Sequence, residues 1–271
     1  MNRIPVLPTL LTLGNGVCGF AAIAYASKIT LDGSLPPEVI DYYFLLASGL
    51  ILVAMVFDTL DGAAARLFKS AGRFGAELDS LCDAVSFGAA PAFLLLQLGP
   101  GWDHAILHRL LAAVATLYLM CTILRLARYN VEAAEGIGSG KRFRGLPSPA
   151  AAGCIATLAI LRGSLVTRYP GWNHEAVIPA LEAWAAIGAF LVALLMVSQV
   201  SYPHLTKSML RRKTATPLLL TSAILLVLVR EAALTLLFWG YALVGFGHYL
   251  TARVAVPGTD LSAGLDERQR H

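Results

Sequence analysis

Residues 57–88 read FDTLDGAAARLFKSAGRFGAELDSLCDAVSFG, and Asp58, Asp61, Asp79 and Asp83 stand there among Ala, Leu, Phe and Gly. An acidic side chain at the centre of a bilayer costs about 2.5–3.5 kcal/mol on insertion scales. Several such residues in one apolar stretch therefore require a chemical reason.

The surrounding composition sets the solvent. The chain has 271 residues, of which 57% are hydrophobic and only 14% charged. A soluble domain carries about 25% charged residues, so the composition is that of an integral membrane protein. Apolar runs near the ~20 residues needed to cross a bilayer predict spans at 6–27, 41–68, 75–98, 105–131, 148–163, 177–200, 215–230 and 232–250. The fold class expected is thus an all-α polytopic membrane protein with about eight transmembrane helices. The first run has no cleavage site after a short apolar core and reads as a retained span. Cys18, Cys82, Cys121 and Cys154 each lie inside an apolar run and read as small buried hydrophobes.

Charge gives the orientation. Alternate connections hold Arg3, then Lys69 and Arg73, then Lys141, Arg142 and Arg144, then Lys207, Arg211, Arg212 and Lys213, then Arg253, Arg268 and Arg270. The opposite connections hold mainly Lys28, Arg109, Arg162 and Arg168, mixed with acids. The positive-inside rule then places both termini and the Lys69–Arg73 turn in the cytoplasm. The net charge of +4 gives no reason to expect a nucleic-acid partner. We expect one membrane domain over 1–255 and a polar, disordered tail over 256–271.

Asp58 and Asp61 are three residues apart, and Asp79 and Asp83 are four apart. On helices each spacing stacks two carboxylates on one face. Lys69-Ser70-Ala71-Gly72-Arg73, with Gly75 just beyond, is a turn signal. The expected unit is an antiparallel hairpin that brings both pairs together near its cytoplasmic end. Carboxylates so placed repel one another unless cations lie between them. Hard oxygen ligands suit Mg²⁺ or Mn²⁺, and two such ions can clamp a phosphoryl displacement. Gly62 allows close approach to the backbone, and Arg66 lies on a compatible face to pair with phosphate. Two other readings exist: acids ion-paired with Arg66, Arg125 or Arg128 for packing alone, and an ion-coupled transporter. Transporters more often spread their acids over several spans and broken helices.

The same stretch fits D-x-x-D-G-x-x-A-R-x8-G-x3-D-x3-D at every fixed position, from Asp58 through Asp61, Gly62, Ala65, Arg66, Gly75 and Asp79 to Asp83. It resembles the CDP-alcohol phosphatidyltransferase family, integral membrane enzymes that displace CMP from a CDP-linked lipid or alcohol. IPVLPTLLTLGNGVCGFAAI at 4–23, RLARYNVE at 125–132 and FRGLPSPAAAG at 143–153 are similar to the membrane-embedded phosphatidylserine synthases within it. The resemblance implies a six-helix catalytic core, a dinuclear site on Asp58, Asp61, Asp79 and Asp83, and Asp83 as general base. It also implies that Gly62, Ala65, Arg66 and Gly75 frame the CMP moiety, with Asn15 reaching the nucleotide; a buried helix–helix hydrogen bond is the alternative for Asn15.

The implied reaction joins L-serine to CDP-diacylglycerol, giving phosphatidylserine and CMP in the cell membrane, with the site facing the cytoplasm and a homodimer expected. Glycerol phosphate, inositol phosphate and choline are alternative acceptors within the family. Arg125 and Arg128 share a helical face and could hold the serine carboxylate or the lipid phosphate, or else snorkel to the membrane surface. The Gly145–Pro149 turn, restricted at its two prolines, either shapes the serine pocket or only starts the fifth span.

Overall fold

The computed structural model describes residues 6–31, 35–68, 72–99, 105–135, 142–168, 174–198, 200–203 and 230–254. The elements are α1 (Val6–Leu31), α2 (Pro37–Leu67), α3 (Arg73–Asp83), a π-helical segment (Ala84–Ala89), α4 (Ala90–Gln97) and α5 (Ala105–Ala134). They continue with β1 (Arg142–Arg144), α6 (Ser148–Arg168), α7 (His174–Val197), β2 (Ser201–Pro203) and α8 (Arg230–Val254).

Six helical stretches are long and apolar enough to cross a bilayer: Val6–Ile29, Pro37–Leu67, Arg73–Gln97, Ala105–Ala134, Ser148–Leu165 and Ala176–Val197. They coincide with the first six expected spans, and the chain is a multi-pass membrane protein. The expected span at 215–230 and the tail at 256–271 lie outside the described residues. The expected span at 232–250 lies within the single helix α8, whose described apolar stretch is Ala232–Gly247.

Packing explains why α6 reads weakly as a span by hydropathy. It is the central helix: 78% of its apolar window is buried inside the protein, against 28% for α1. Its small residues Ala151, Ala152, Ala156 and Ala159 are all fully enclosed. Such residues let helix backbones approach closely where lipid provides no hydrophobic drive for association. Helix α2 packs on α1 and α6, α5 on α7, and α8 on α6. Exposed Val6, Leu10, Val17 and Phe20 line the outer side of α1, as a lipid-facing surface requires.

Two features depart from the sequence reading. Segments β1 and β2 form an antiparallel ribbon pairing Arg142 with Pro203 and Arg144 with Ser201. It closes the chain leaving α7 against the chain entering α6. The turn follows from Gly145, whose φ of 82° and close approach to the Met196 carbonyl admit no side chain. Arg162, read above as a connection charge, instead lies inside α6, where its guanidinium meets Asp41 at 3.3 Å and Glu182 at 3.5 Å.

Candidate metal and nucleotide site

The acids come from the two arms of one hairpin. Asp58 and Asp61 sit near the C-terminal end of α2, and Asp79 and Asp83 near or at the end of the short α3. Residues 69–71 of the connecting turn lie outside the described residues. Asp58, Asp61 and Asp79 each offer a carboxylate oxygen, and these oxygens all lie within 4.8 Å of one another. Asp61 is buried at 5% exposure, and Asp58 and Asp79 are half-buried.

Asp83 is placed differently. Its Oδ1 accepts a hydrogen bond from the Asn15 side-chain amide at 2.8 Å. It remains within electrostatic reach of Asp58, Asp79 and Asp61. Asn15 itself is fully buried, and its Oδ1 has no hydrogen-bond partner. Both readings of Asn15 therefore keep support: it bridges two helices, and it presents an unused acceptor beside the acids.

Helix α1 comes close enough for that bond because its facing residues are small. A Cβ on Gly16 would sit 3.0 Å from the Cys82 sulfur, and one on Gly19 would sit 2.6 Å from Ser86 Cα. The Ser86 hydroxyl donates to the Asn15 carbonyl at 2.8 Å. One residue of α1 thus holds the helical span that carries Asp79 and Asp83 at two points.

Among the described residues no ion pair joins any of the four aspartates to an arginine; those observed are Arg128–Glu132, Arg162–Asp41 and Arg162–Glu182. The packing-only reading finds no such ion pair among the described residues, and Arg125 is the arginine within electrostatic reach of Asp58 and Asp83. Asp61 Oδ2 and Asp79 Oδ1 are buried without a hydrogen-bond partner, a costly state for a carboxylate. An oxygen-only donor set with orphaned, converging oxygens fits a hard divalent cation.

The expected nucleotide residues flank this group. Arg66 is exposed, and its guanidinium passes 3.5 Å from where a Gly62 Cβ would stand. Ala65 is half-buried, and Gly75 is exposed with open space around it. Arg125 lies on the interior side: its Nη1 donates to Ser148 Oγ at 2.6 Å, while its Nε is buried without a partner. It is within electrostatic reach of Asp83 and Asp58. Arg128 turns away, donating to the Val197 carbonyl at 3.3 Å and facing Glu132 at 4.0 Å.

Sequence reasoning missed three contributors. Ser80, between two of the acids, accepts from Asn130 Nδ2 at 2.9 Å and ties α3 to α5. Asn130 ends the RLARYN run, and a polar residue inside an otherwise apolar span was the available signal. Tyr118, at the middle of α5, donates to the Phe87 carbonyl at 2.9 Å. Tyr241 of α8 comes within electrostatic reach of Arg125. Nothing in an apolar C-terminal run marks that position.

Fold and site together define a polytopic membrane protein with an acidic, oxygen-only centre at one end of its helical bundle. The chain belongs to the CDP-alcohol phosphatidyltransferase family, whose model matches residues 5–195. That stretch contains all four aspartates, Arg125, Arg128 and Asn15. It is 35% identical over 158 residues to the CDP-diacylglycerol–serine O-phosphatidyltransferase of Saccharomyces cerevisiae, covering 56% of this chain and 51% of that one. This match thus spans about half of the yeast protein. The Helicobacter pylori enzyme of the same name is 29% identical over 207 residues, 76% of each chain. Archaetidylserine synthase of Methanothermobacter thermautotrophicus is 34% identical over 203 residues, 73% of this chain and 70% of that one.

Proposed function

We propose that this protein transfers the phosphatidyl group of CDP-diacylglycerol to the hydroxyl of L-serine, forming phosphatidylserine and releasing CMP. The observation that carries the donor half is the convergence of Asp58, Asp61 and Asp79 oxygens within 4.8 Å, in the family's spacing and with no ion pair to them among the described residues. The acceptor half is supported by relatives named for serine products and by the buried, under-used Arg125 guanidinium.

In this reading Asp58, Asp61, Asp79 and Asp83 hold two divalent ions, Mg²⁺ or Mn²⁺. Bound there, the ions supply charge neutralisation for the pyrophosphate as CMP departs. The chain's own residues do the rest. Gly62, Ala65, Arg66 and Gly75 frame the CMP moiety, and the unpaired Asn15 Oδ1 serves as an acceptor toward the nucleotide. Arg125, and Arg128 after a rotamer change, bind the serine carboxylate or the lipid phosphate.

The serine oxygen attacks the phosphorus that bears diacylglycerol, and the bond from that phosphorus to the CMP oxygen breaks. Asp83 takes the hydroxyl proton, an assistance of about 10²–10⁴-fold for a well-placed base. Asn15, bonded to one oxygen of Asp83, fixes the carboxylate so that the other faces the acceptor. We further assign residues 1–255 to a single transferase domain, a polar tail to 256–271, a site open to the cytoplasm with both termini on that side, and a homodimer in the cell membrane.

The test uses purified protein in detergent with Mn²⁺ or Mg²⁺, CDP-diacylglycerol and competing L-serine, glycerol phosphate, inositol phosphate and choline. Mass spectrometry of the lipid product is expected to find phosphatidylserine. Phosphatidylglycerol phosphate as sole product would remove the serine assignment. No CMP release with any acceptor would remove the transferase reading.

A further inference from the structure

The span that carries Asp79 and Asp83 is not a uniform helix. Directly after Asp83 the chain winds through a π-helical segment, Ala84–Ala89, before α4 resumes. Its bonding is visible at Ala90, whose N–H reaches Val85 O, five residues back. Such segments are rare and need a local cause.

Pro91 supplies it. A proline inside a helix lacks the N–H for the carbonyl four residues earlier, and its ring crowds that same carbonyl. Here the carbonyl is Phe87 O, and it is the one that Tyr118 Oη occupies at 2.9 Å. Tyr118 is fully buried, as is Phe87, so no water or lipid headgroup is at hand to replace the phenol. The same segment is gripped from α1, where Ser86 Oγ donates to Asn15 O at 2.8 Å while Asn15 Nδ2 donates to Asp83 at 2.8 Å.

The extra residue has a geometric consequence. Each residue of an α-helix turns the face by about 100°. One residue added below Asp83 therefore uncouples the facing of Asp79 and Asp83 from the facing of α4, whose Leu94 and Leu95 are locked in the core.

We propose that Pro91, the π-helical segment and Tyr118 form a register device, with Tyr118 a positioning residue that sets Asp79 and Asp83 against Asp58 and Asp61. Tyr118 touches none of the acids and acts only through the Phe87 carbonyl. The proposal rests on the metal reading of the acids given above, but not on serine as the acceptor.

The experiment compares Tyr118→Phe with Thr157→Val in detergent-purified full-length protein. Thr157 is an equally buried hydroxyl on α6 that donates to the Gly153 carbonyl at 2.7 Å, within its own helix. Mn²⁺ binding is measured directly by the paramagnetic resonance signal of free Mn²⁺, and backbone hydrogen exchange is followed by mass spectrometry. Tyr118→Phe is expected to raise the Mn²⁺ dissociation constant roughly 10-fold, the low end for outer partners of metal ligands. It is also expected to speed exchange in residues 79–89 while leaving 58–66 unchanged. Thr157→Val is expected to match the wild type in both readouts.

Equal effects from both variants would reduce Tyr118 to general packing and overturn the proposal. Faster exchange with unchanged Mn²⁺ affinity would also overturn it, since the pin would then not set the acids. Absence of Mn²⁺ binding already in the wild type would instead remove the metal reading, and the positioning role with it, whereas unchanged exchange in Tyr118→Phe would remove the pin alone.

Discussion

Asn15 donates its side-chain amide to Asp83 at 2.8 Å, across a sequence separation of 68 residues, and both side chains are buried. The bond joins the first helix to the acid that our reading makes the general base. A hydrogen bond to a charged group is worth about 1.5–3 kcal/mol. If the bond is felt fully in the transition state, Asn15→Ala lowers turnover roughly tenfold to a hundredfold. The check is CMP release at saturating CDP-diacylglycerol and serine. A variant turning over at the wild-type rate would show that Asp83 is placed by other contacts.

Asp61 and Asp79 each bury an oxygen that no protein group satisfies. Asp79→Asn and Asp83→Asn are expected to abolish turnover while leaving the protein monodisperse in detergent. Asp61→Asn is expected to lose Mn²⁺ binding as well. Near-normal activity in any of the three would count against a metal centre at this place.

The acids and their hairpin were legible because a fixed spacing on helices dictates which side chains share a face. Asp58 and Asp61 needed only that rule, and so did Asp79 and Asp83. The arrangement around them was not legible. Residues 75–98 read as one apolar run, and hydropathy does not register a change from α- to π-type bonding; Pro91 was the only mark. Arg162 read as a topology charge because sequence alone could not show Asp41, 121 residues away, meeting it. The three-residue strands β1 and β2 are too short to show any alternation. Tyr241 was hidden for a different reason: its role depends on how α8 docks, and docking is decided by Gly153 and Gly188, which receive Phe238 and Trp239.

Arg125 donates to Ser148 with one nitrogen and leaves Nε buried without a partner. A planar fork of donors suits a carboxylate in a way that a lysine ammonium does not. Arg125→Lys is expected to raise the KM for serine about tenfold or more, the order of a lost charge-assisted hydrogen bond, with the KM for CDP-diacylglycerol little changed. Initial rates over a two-substrate grid separate the two. An equal rise in both constants would assign Arg125 to the lipid phosphate instead.

Arg162 stands between two buried acids, Asp41 at 2% and Glu182 at 4% side-chain exposure, and also covers the Phe44 ring at 4.7 Å. Removing one partner of a buried ion pair typically costs 3–5 kcal/mol, because the remaining charge stays buried. Arg162→Met should therefore lower the thermal unfolding midpoint in detergent by several degrees or more. The triad lies twenty residues from Asp61 along α2, about 30 Å, so KM values of the surviving folded protein should not move. Adding Asp41→Asn and Glu182→Gln should recover part of the lost stability. Failure to recover any would mean that Arg162 acts through its stacking on Phe44 and not through its charge.

Gly19 tests how closely α1 must approach the acids. A methyl group there would fall 2.6 Å from Ser86 Cα, a backbone atom that cannot swing aside as a side-chain end could. Either α1 or the π-helical segment must then move, and the Ser86–Asn15 and Asn15–Asp83 bonds are the first contacts to lengthen. Gly19→Ala is thus expected to reduce turnover by at least the Asn15→Ala factor, although residue 19 touches no acid. Gly49→Ala is the matched control, because a Cβ there meets nothing within 4 Å. It also replaces a helical glycine by a better helix former, so activity should hold and stability should not fall. If Gly19→Ala kept full activity, α1 would have room to withdraw without disturbing Asp83, and the two-point grip of Asn15 would not matter to the reaction.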